Sequence, residues 1–513
     1  MINIVDPLQN ELFDTYSNML SPVARKRLMK SWPGIFRHLI LTEMPVADLS
    51  EHFDPVMGRP STELYSIAGL LLIMEFKNWT VEEAADAYMF SMDVQYALNL
   101  GRDNQSMTTR TVERYQKLFR EEGFAVKIMD RVSGALVDAL DLNIEKQRLD
   151  STHVFSNMAT FTRTRMMGVT IKRFLVQLKR HHEGYFEALD EELRERYSHS
   201  EAGLFGDVSK KEDSRRMLKQ QVAEDLYALI ERFAQDKAVC AKTSYKNMVK
   251  VFRQQCDVAD KNVTVKKKTG GNVIQNTSDL DATYSGHKGP GYQVQLSETC
   301  SEENDVQLIT SAIVETACNS DSAALINVVD DLEQNDLLPS EITADTHYGS
   351  DGNVQYSKDK HVDLISPVSG PAPKEKPAQP TEKQQRLQDR RKEQETPEWK
   401  KGYRIRAGIE GTNSAIKRKT GLGRLRVRGM SSMSYAILLK IAGWNILCAA
   451  RSKKLTDKLE GRSRKNLPSG ILPGYPAQIL AHATIWKDQN MIWLRFFRSQ
   501  RARLCFSRLP ANA

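Results

Sequence analysis

Tyr403, Arg406, Glu410 and Lys417 are spaced so that a single helix would present them together. At about 100° per residue they fall within an arc of about 60°, while Ile405, Ile409 and Ile416 form a separate stripe able to pack on a sheet. A carboxylate flanked by two cations and a phenol suits work on a phosphate. Arg406 and Lys417 would position it, and Tyr403 would hydrogen-bond one of its oxygens. Taken alone, a plain salt-bridged surface accounts equally well for Glu410 beside Arg406. Gly408 and Gly411 each weaken the helix by roughly 1 kcal/mol. Two further acids, Asp150 and Asp345, sit in short runs with strand character. Were the three carboxylates to converge, they would repel one another and require cations. Hard oxygen ligands select Mg²⁺, with Mn²⁺ as a substitute. Two such ions about 4 Å apart activate a water or a 3′-hydroxyl and stabilise the leaving oxygen of a phosphodiester.

The elements that must position these residues can be read in order. Residues 20–140 are helical in pattern: Ile67, Leu70, Leu71 and Met74 recur at helical spacing, and Thr80 with Glu83 forms a capping box. Thr109 would cap a helix with Arg110, Arg114, Lys117 and Arg120 on one stripe, which suits either a DNA backbone or plain solvation. The run from Asn143 predicts a strand ending at Asp150. Residues 166–260 return to charged helices and read as an insertion, closed by a basic loop at Lys266–Gly271. Tyr292, Val294 and Leu296 alternate with polar residues, and with the run from Val306 to Val314 they predict a hairpin. A helix at 322–333, a strand at 341–345, a helix or loop at 350–358 and a strand from His361 follow. Residues 369–400, Pro-rich (Pro371, Pro373, Pro377, Pro380) and then densely charged, predict a linker and a solvated helix. Without the inserts the order is β-β-β-α-β-α-β-α, that of a ribonuclease H-like fold. There the first and fourth strands are neighbours, so Asp150 and Asp345 would lie side by side with the last helix across them.

At this point the chain resembles the DDE transposases of bacterial insertion sequences. Three blocks carry the likeness. They are Asp150-Ser-Thr-His153, Ala344-Asp-Thr-His-Tyr-Gly349 and the Tyr403-(2)-Arg406-(3)-Glu410-(6)-Lys417 signature. The resemblance covers most of 20–450, and the long gap between Asp150 and Asp345 is similar to the subgroup with a helical insertion after the first strand. It implies an enzyme that binds the terminal inverted repeats of its element as double-stranded DNA. Such an enzyme cuts there by Mg²⁺-dependent hydrolysis and joins the 3′-hydroxyl ends to target DNA, as a homodimer on paired ends. It further implies that Asp150, Asp345 and Glu410 are catalytic and hold the two ions. Tyr403, Arg406 and Lys417 would position the strand. His153 and His347, beside two of these acids, read as structural rather than as ligands. Arg424, Arg426 and Arg428 would turn their cations to one side if extended and track a phosphate backbone. Trp399 would pack, or stack on an exposed base.

The expected fold is therefore mixed α/β. A helical N-terminal domain, 1–140, would bind the DNA ends. The ribonuclease H-like catalytic domain would comprise 141–165 plus 266–450, with 166–265 as the helical insertion and 451–513 as a basic extension. At roughly 150 residues per domain, a chain of 513 residues is long enough for about three. Its net charge of +8 is uneven: residues 401–513 carry 23 Lys or Arg against four Asp or Glu, and the rest of the chain is acidic. A basic segment of this kind attracts a polyanion, of which nucleic acid is the commonest inside a cell, although a solvated tail or a membrane surface would also serve. Ile67–Met74 is shorter than the about 20 residues a membrane span needs, and Tyr435–Ala450 is interrupted by Lys440 and Asn445. With no signal segment at the N-terminus, a soluble, cytoplasmic protein is expected. No two of the six cysteines have metal or disulfide-framework spacing. The competing readings are a ribonuclease H-like nuclease that cuts without joining and a non-catalytic DNA-binding regulator of the element.

Overall fold

The structure, a computed structural model, describes residues 1–9, 19–101, 105–201, 203–205, 212–370 and 381–465. Residues 1–456 form one compact unit and 457–513 a second. The four prolines between 371 and 380 and residues 466–513 of the 451–513 extension lie outside the described residues.

The N-terminal part is helical, and its two longest apolar runs are core. Helix α1 (Leu64–Lys77) is apolar almost all round, so it can only be buried. Glu63 caps it through Tyr65 and Ser66 N–H, and Asn78 ends it in the left-handed conformation. Helix α2 (Val81–Phe90) has the Thr80–Glu83 capping box expected from the sequence. Helix α3 (Thr109–Glu121) is capped by Thr108, one residue earlier than expected, because the Thr108 hydroxyl accepts from Thr111 N–H. Its Val112, Tyr115 and Phe119 are buried; Arg110, Arg114 and Lys117 are exposed, but Arg120 is half-buried against Gln116 and Ser432. Helix α4 (Phe124–Leu140) completes the group.

Strand β1 (Lys146–Val154) does not stop at Asp150 as expected. Ser151, Thr152 and His153 look polar in the sequence, yet all three are buried, because β1 is a central strand and continues as a ladder. The insertion follows: helices α5 (Arg163–His181), α6 (Glu212–Phe233) and α7 (Thr243–Gln255) enclose their own core, which includes Phe174, Leu178, Leu226, Met248 and Val251. It ends in a hairpin, β2 (Cys256–Ala259) and β3 (Asn262–Val265), absent from the sequence reading.

The remaining strands are β4 (Thr283–Ser285), β5 (Gly289–Thr299), β6 (Ile309–Thr316), β7 (Glu341–Ala344) and β8 (Asp363–Ile365). Helix α8 (Asp321–Gln334) lies between β6 and β7, and α9 (Asp351–Asp359) between β7 and β8. Both β4 and β6 pair with β5, and the sheet then runs β5–β1–β7–β8, antiparallel on the β5 side of β1 and parallel on the β7 side. Helix α10 (Glu382–Gln394) is not simply solvated, as its composition suggested. Arg386 forms a bidentate pair with Asp351, and Arg390 donates to the Gly349 and Ser366 carbonyls.

The segment expected as one helix through the signature is in fact three pieces. These are α11 (Pro397–Tyr403), a 3₁₀ turn at Arg404–Ala407 and α12 (Gly408–Thr420). Helix α13 (Met430–Ala449) is the one described helix long and apolar enough to cross a membrane by length and composition, and its surface is mostly buried within the chain. It packs on α4, α1 and β6. Its two polar interruptions are satisfied: Lys440 reaches Glu75, and Asn445 pairs with both main-chain groups of Ile309.

Candidate active site

The sheet fixes two of the acids before any side chain is considered. β1 and β7 are parallel, with Leu149 opposite Ala344 as their last matched pair. Asp150, within β1, and Asp345, just past the end of β7, each come one residue later, so they lie side by side at the same level. Strands in a ladder lie about 4.8 Å apart. Asp345 is also the N-cap of a 3₁₀ turn, its Oδ1 accepting from His347 N–H at 2.7 Å, which directs the carboxylate. Gly349 closes this loop where only a glycine fits: a Cβ would stand 2.3 Å from the Pro367 carbonyl oxygen.

Helix α12 lies across β1 on the Asp150 side. Ile409 and Ile416, two of the three isoleucines of the packing stripe, are fully buried, and Ile405 is half-buried. The opposite side brings the signature to the acids. One nitrogen of Arg406 lies 3.5 Å from Asp150 Oδ1 and 3.9 Å from Asp345 Oδ2, and the other donates to Glu410 Oε1 at 2.9 Å. Thus the three carboxylates are gathered around one guanidinium. Burial pushes the Asp150 carboxyl above its ordinary range, Arg406 pulls it back, and Asp345 adds to the push. Burial works against the charge of Arg406, but Asp150 and its neighbours outweigh that and hold the proton on. Tyr403 faces the same group; burial raises its hydroxyl pKa, and its ring stacks on Trp399 at 4.8 Å, so Trp399 packs here.

Several residues of the site were not read from the sequence. Asn413, buried, donates to Asp150 Oδ2 at 3.2 Å. Glu298 on β5, also buried, accepts from Arg148 on β1 at 2.7 Å and from the Thr412 hydroxyl at 2.7 Å. Arg148 continues to the Ile405 carbonyl at 3.1 Å, so this pair fastens the 3₁₀ turn and α12 to the sheet. A lone Arg and a lone Glu on otherwise core strands were the available signal, since charges there are almost always paired. Lys288, on the turn before β5, places Nζ 3.3 Å from the Ser151 hydroxyl.

His153 is a buried structural residue. Its Nε2 meets the Pro290 carbonyl at 3.3 Å, and burial, with Lys288 and Lys417 nearby, depresses its pKa to about 4. His347 is exposed, its Nδ1 3.3 Å from Asp345 Oδ2. Beyond α12 the chain runs extended beside the end of β1: Phe155 N–H donates to Gly423, Leu425 N–H to Phe155, and Asn157 N–H to Val427. Along this strap Arg424, Arg426 and Arg428 are exposed while Leu425 is buried. Arg424 lies over the Phe155 ring, and Arg428 donates to the Asn157 carbonyl.

A carboxylate from each of β1, the β7 end and α12, held at one point beside a line of cations, is an arrangement for phosphodiester chemistry. Residues 274–446 match the family model of the transposase DDE domain. The match supports a DDE transposase; it contains Asp345, the whole Tyr403–Lys417 signature and the arginine strap, and begins after Asp150. No curated protein and no solved structure matches the chain. Asp150 lies outside the match, on a strand that precedes the insertion.

The donor set of this domain fits a divalent cation in kind. It is three carboxylates, hard oxygen ligands whose summed charge exceeds that of Arg406. In position they are not yet a cage: among the described residues no group of three or more His, Cys, Asp or Glu side chains is arranged to hold a metal. Arg406 stands where the carboxylates converge.

Proposed function

We propose that this chain is a DNA transposase that binds the terminal inverted repeats of its own element, cleaves the DNA there and joins the freed 3′ ends to a target duplex. The observation carrying this reading is the matched placement of Asp150 and Asp345 where the parallel pairing of β1 with β7 ends, with Glu410 held beside them through Arg406. The strand order supports it too: numbering only β1, β5, β6, β7 and β8, the sheet runs 3-2-1-4-5, as a ribonuclease H-like core requires.

In this reading Asp150, Asp345 and Glu410 hold two Mg²⁺ ions, or Mn²⁺ in their place. When bound, these ions supply an activated water or 3′-hydroxyl and stabilise the leaving oxygen. The remaining tasks fall to the chain. Arg406 exchanges its carboxylate partners for a phosphodiester of the strand, whose two non-bridging oxygens form a bidentate acceptor it fits as well. Tyr403 donates its hydroxyl, which burial keeps protonated, to the same phosphodiester. Asn413 fixes the rotamer of Asp150. Lys417 and the strap arginines hold neighbouring phosphates, and pairing of two element ends calls for two protomers. The exposed face of α3 is the candidate for reading the ends.

The test is a cleavage and joining assay on a duplex carrying the repeat that flanks the protein's own coding region. Wild type is expected to nick and join only with Mg²⁺ or Mn²⁺. Glu410→Gln should lose more than about 100-fold, beyond the loss of a partner behind a metal ligand, while still binding the duplex. Equal activity of the two proteins would remove Glu410 from the site. Cleavage with no joined product would make the protein a nuclease.

A further inference from the structure

The edge of β1 changes partner at the active site. β7 accompanies it only as far as Leu149, and the strap takes over only at Phe155. β5 pairs with the opposite edge throughout, but among the described residues no strand pairs with the interval on this edge, so beside Asp150 the sheet has a notch. Main-chain bonds of a strand alternate between its two sides. Because Phe155 bonds to the strap, that alternation turns the main-chain groups of Ser151 and His153 toward the same edge.

Two ammonium groups border this notch. Lys417, half-buried on α12, runs its methylenes beside Gly423 at the start of the strap. Lys288 comes from the opposite wall, the turn between β4 and β5, to the Ser151 hydroxyl. Among the described residues neither forms an ion pair, since the nearby carboxylates are taken up by Arg406. Burial and the proximity of Lys288 lower the pKa of Lys417, and both lysines disfavour a proton on His153. Asp150 offsets part of this gathered positive charge, and an anion seated between the two lysines would offset more of it.

The geometry points to a phosphate seat in this notch, made by Lys288, Lys417 and the Ser151 hydroxyl, which holds a DNA phosphodiester beside the bond being cut. The inference rests on the transposase reading and adds to it a residue outside the signature. A singly charged phosphodiester suits the seat: two cations border it beside the Ser151 hydroxyl, and Asp150 lies at its margin with the other acids. From the seat the strand's next phosphates meet Arg424, then Arg426 and Arg428. Lys288 is exposed on a turn, so replacing it leaves the core intact.

Duplex binding is measured by fluorescence anisotropy across a salt series, in EDTA, for wild type, Lys288→Gln and Lys288→Arg. Each phosphate contact contributes about one unit to the slope of log K against log salt. Lys288→Gln is expected to lower that slope by about one and to weaken binding by roughly tenfold, while Lys288→Arg keeps both. A scan of single methylphosphonate linkages should find one position, next to the cut, where wild type and Lys288→Gln bind equally. If wild type cleaves DNA but the two proteins share one slope and one methylphosphonate profile, the seat is wrong and the transposase reading stands. If wild type binds no duplex, both fall.

Discussion

Arg406 shows how one residue serves a site whose acids would otherwise repel. It touches all three carboxylates, and a 3₁₀ turn rather than a continuous helix carries it there. His153 expresses the same crowding of charge in a measurable way. It faces Lys288 from the β5 turn, Lys417 from α12 and the Pro290 carbonyl, and it is buried, so its pKa falls from an ordinary 6.5 to about 4. Between these two values the unfolded chain binds a proton that the folded one does not. Stability therefore rises with pH through that window and is lost as pH falls from about 6.5 toward 4. At about 1.4 kcal/mol per unit, the full loss amounts to about 3–4 kcal/mol. Urea unfolding at pH 7 and pH 4.5 should differ by most of this amount in wild type and by clearly less in His153→Gln. An equal pH dependence in both proteins would mean that His153 titrates normally.

Elements set the position of Glu410, and the contact that does so is a close one. A Cβ on Gly408 would meet the Arg148 guanidinium at 1.8 Å, and that guanidinium is held by Glu298 and by the Ile405 carbonyl. Gly408→Ala should therefore push the start of α12 off the sheet. The expected result is at least about a tenfold fall in cleavage, because misplacing a reacting group by 1 Å costs that much or more. Thermal stability should change little, since alanine favours the helix by up to about 1 kcal/mol. Full cleavage by Gly408→Ala would show that the pair does not set the helix. The Tyr403, Arg406 and Glu410 spacing was legible because it is local, and Asp150 and Asp345 because one lies in a strand of recognisable place and the other directly follows one. Arg148, Glu298, Asn413 and Lys288 were not, since their roles depend on cross-strand register and on a turn folding back. The β2–β3 hairpin escaped for a local reason: its turn residues, Asp260 and Lys261, both adopt positive φ without the Asn-Gly or Asp-Gly signal of such turns.

Over the whole of residues 1–456, the N-terminal helices and the sheet share α13 and are one structure. The sequence suggested a separate helical domain ending at 140, because charge and hydrophobic pattern both change there. What it did not reveal is that α1 and α4 cover a helix that begins only at Met430. Lys440 is the centre of that junction. Buried on α13, it binds Glu75 Oε2 at 3.5 Å, the Glu75 carbonyl at 2.6 Å, Asn78 Oδ1 at 3.1 Å and the Thr420 carbonyl at 2.9 Å. It thus ties α1 to the last turn of α12, the helix that carries Glu410 and Lys417. Removing one partner of a buried pair costs about 3–5 kcal/mol, because the other charge is left uncompensated, whereas removing both costs much less. Lys440→Met should shift urea unfolding by about that amount, and Lys440→Met with Glu75→Gln should recover part of it, the carbonyls still lacking their donor. DNA cleavage and far-ultraviolet circular dichroism should be lost at the same urea concentration in each protein, since the junction couples the helices to the site. Cleavage lost well before the helical signal in wild type would mean that the catalytic part unfolds by itself.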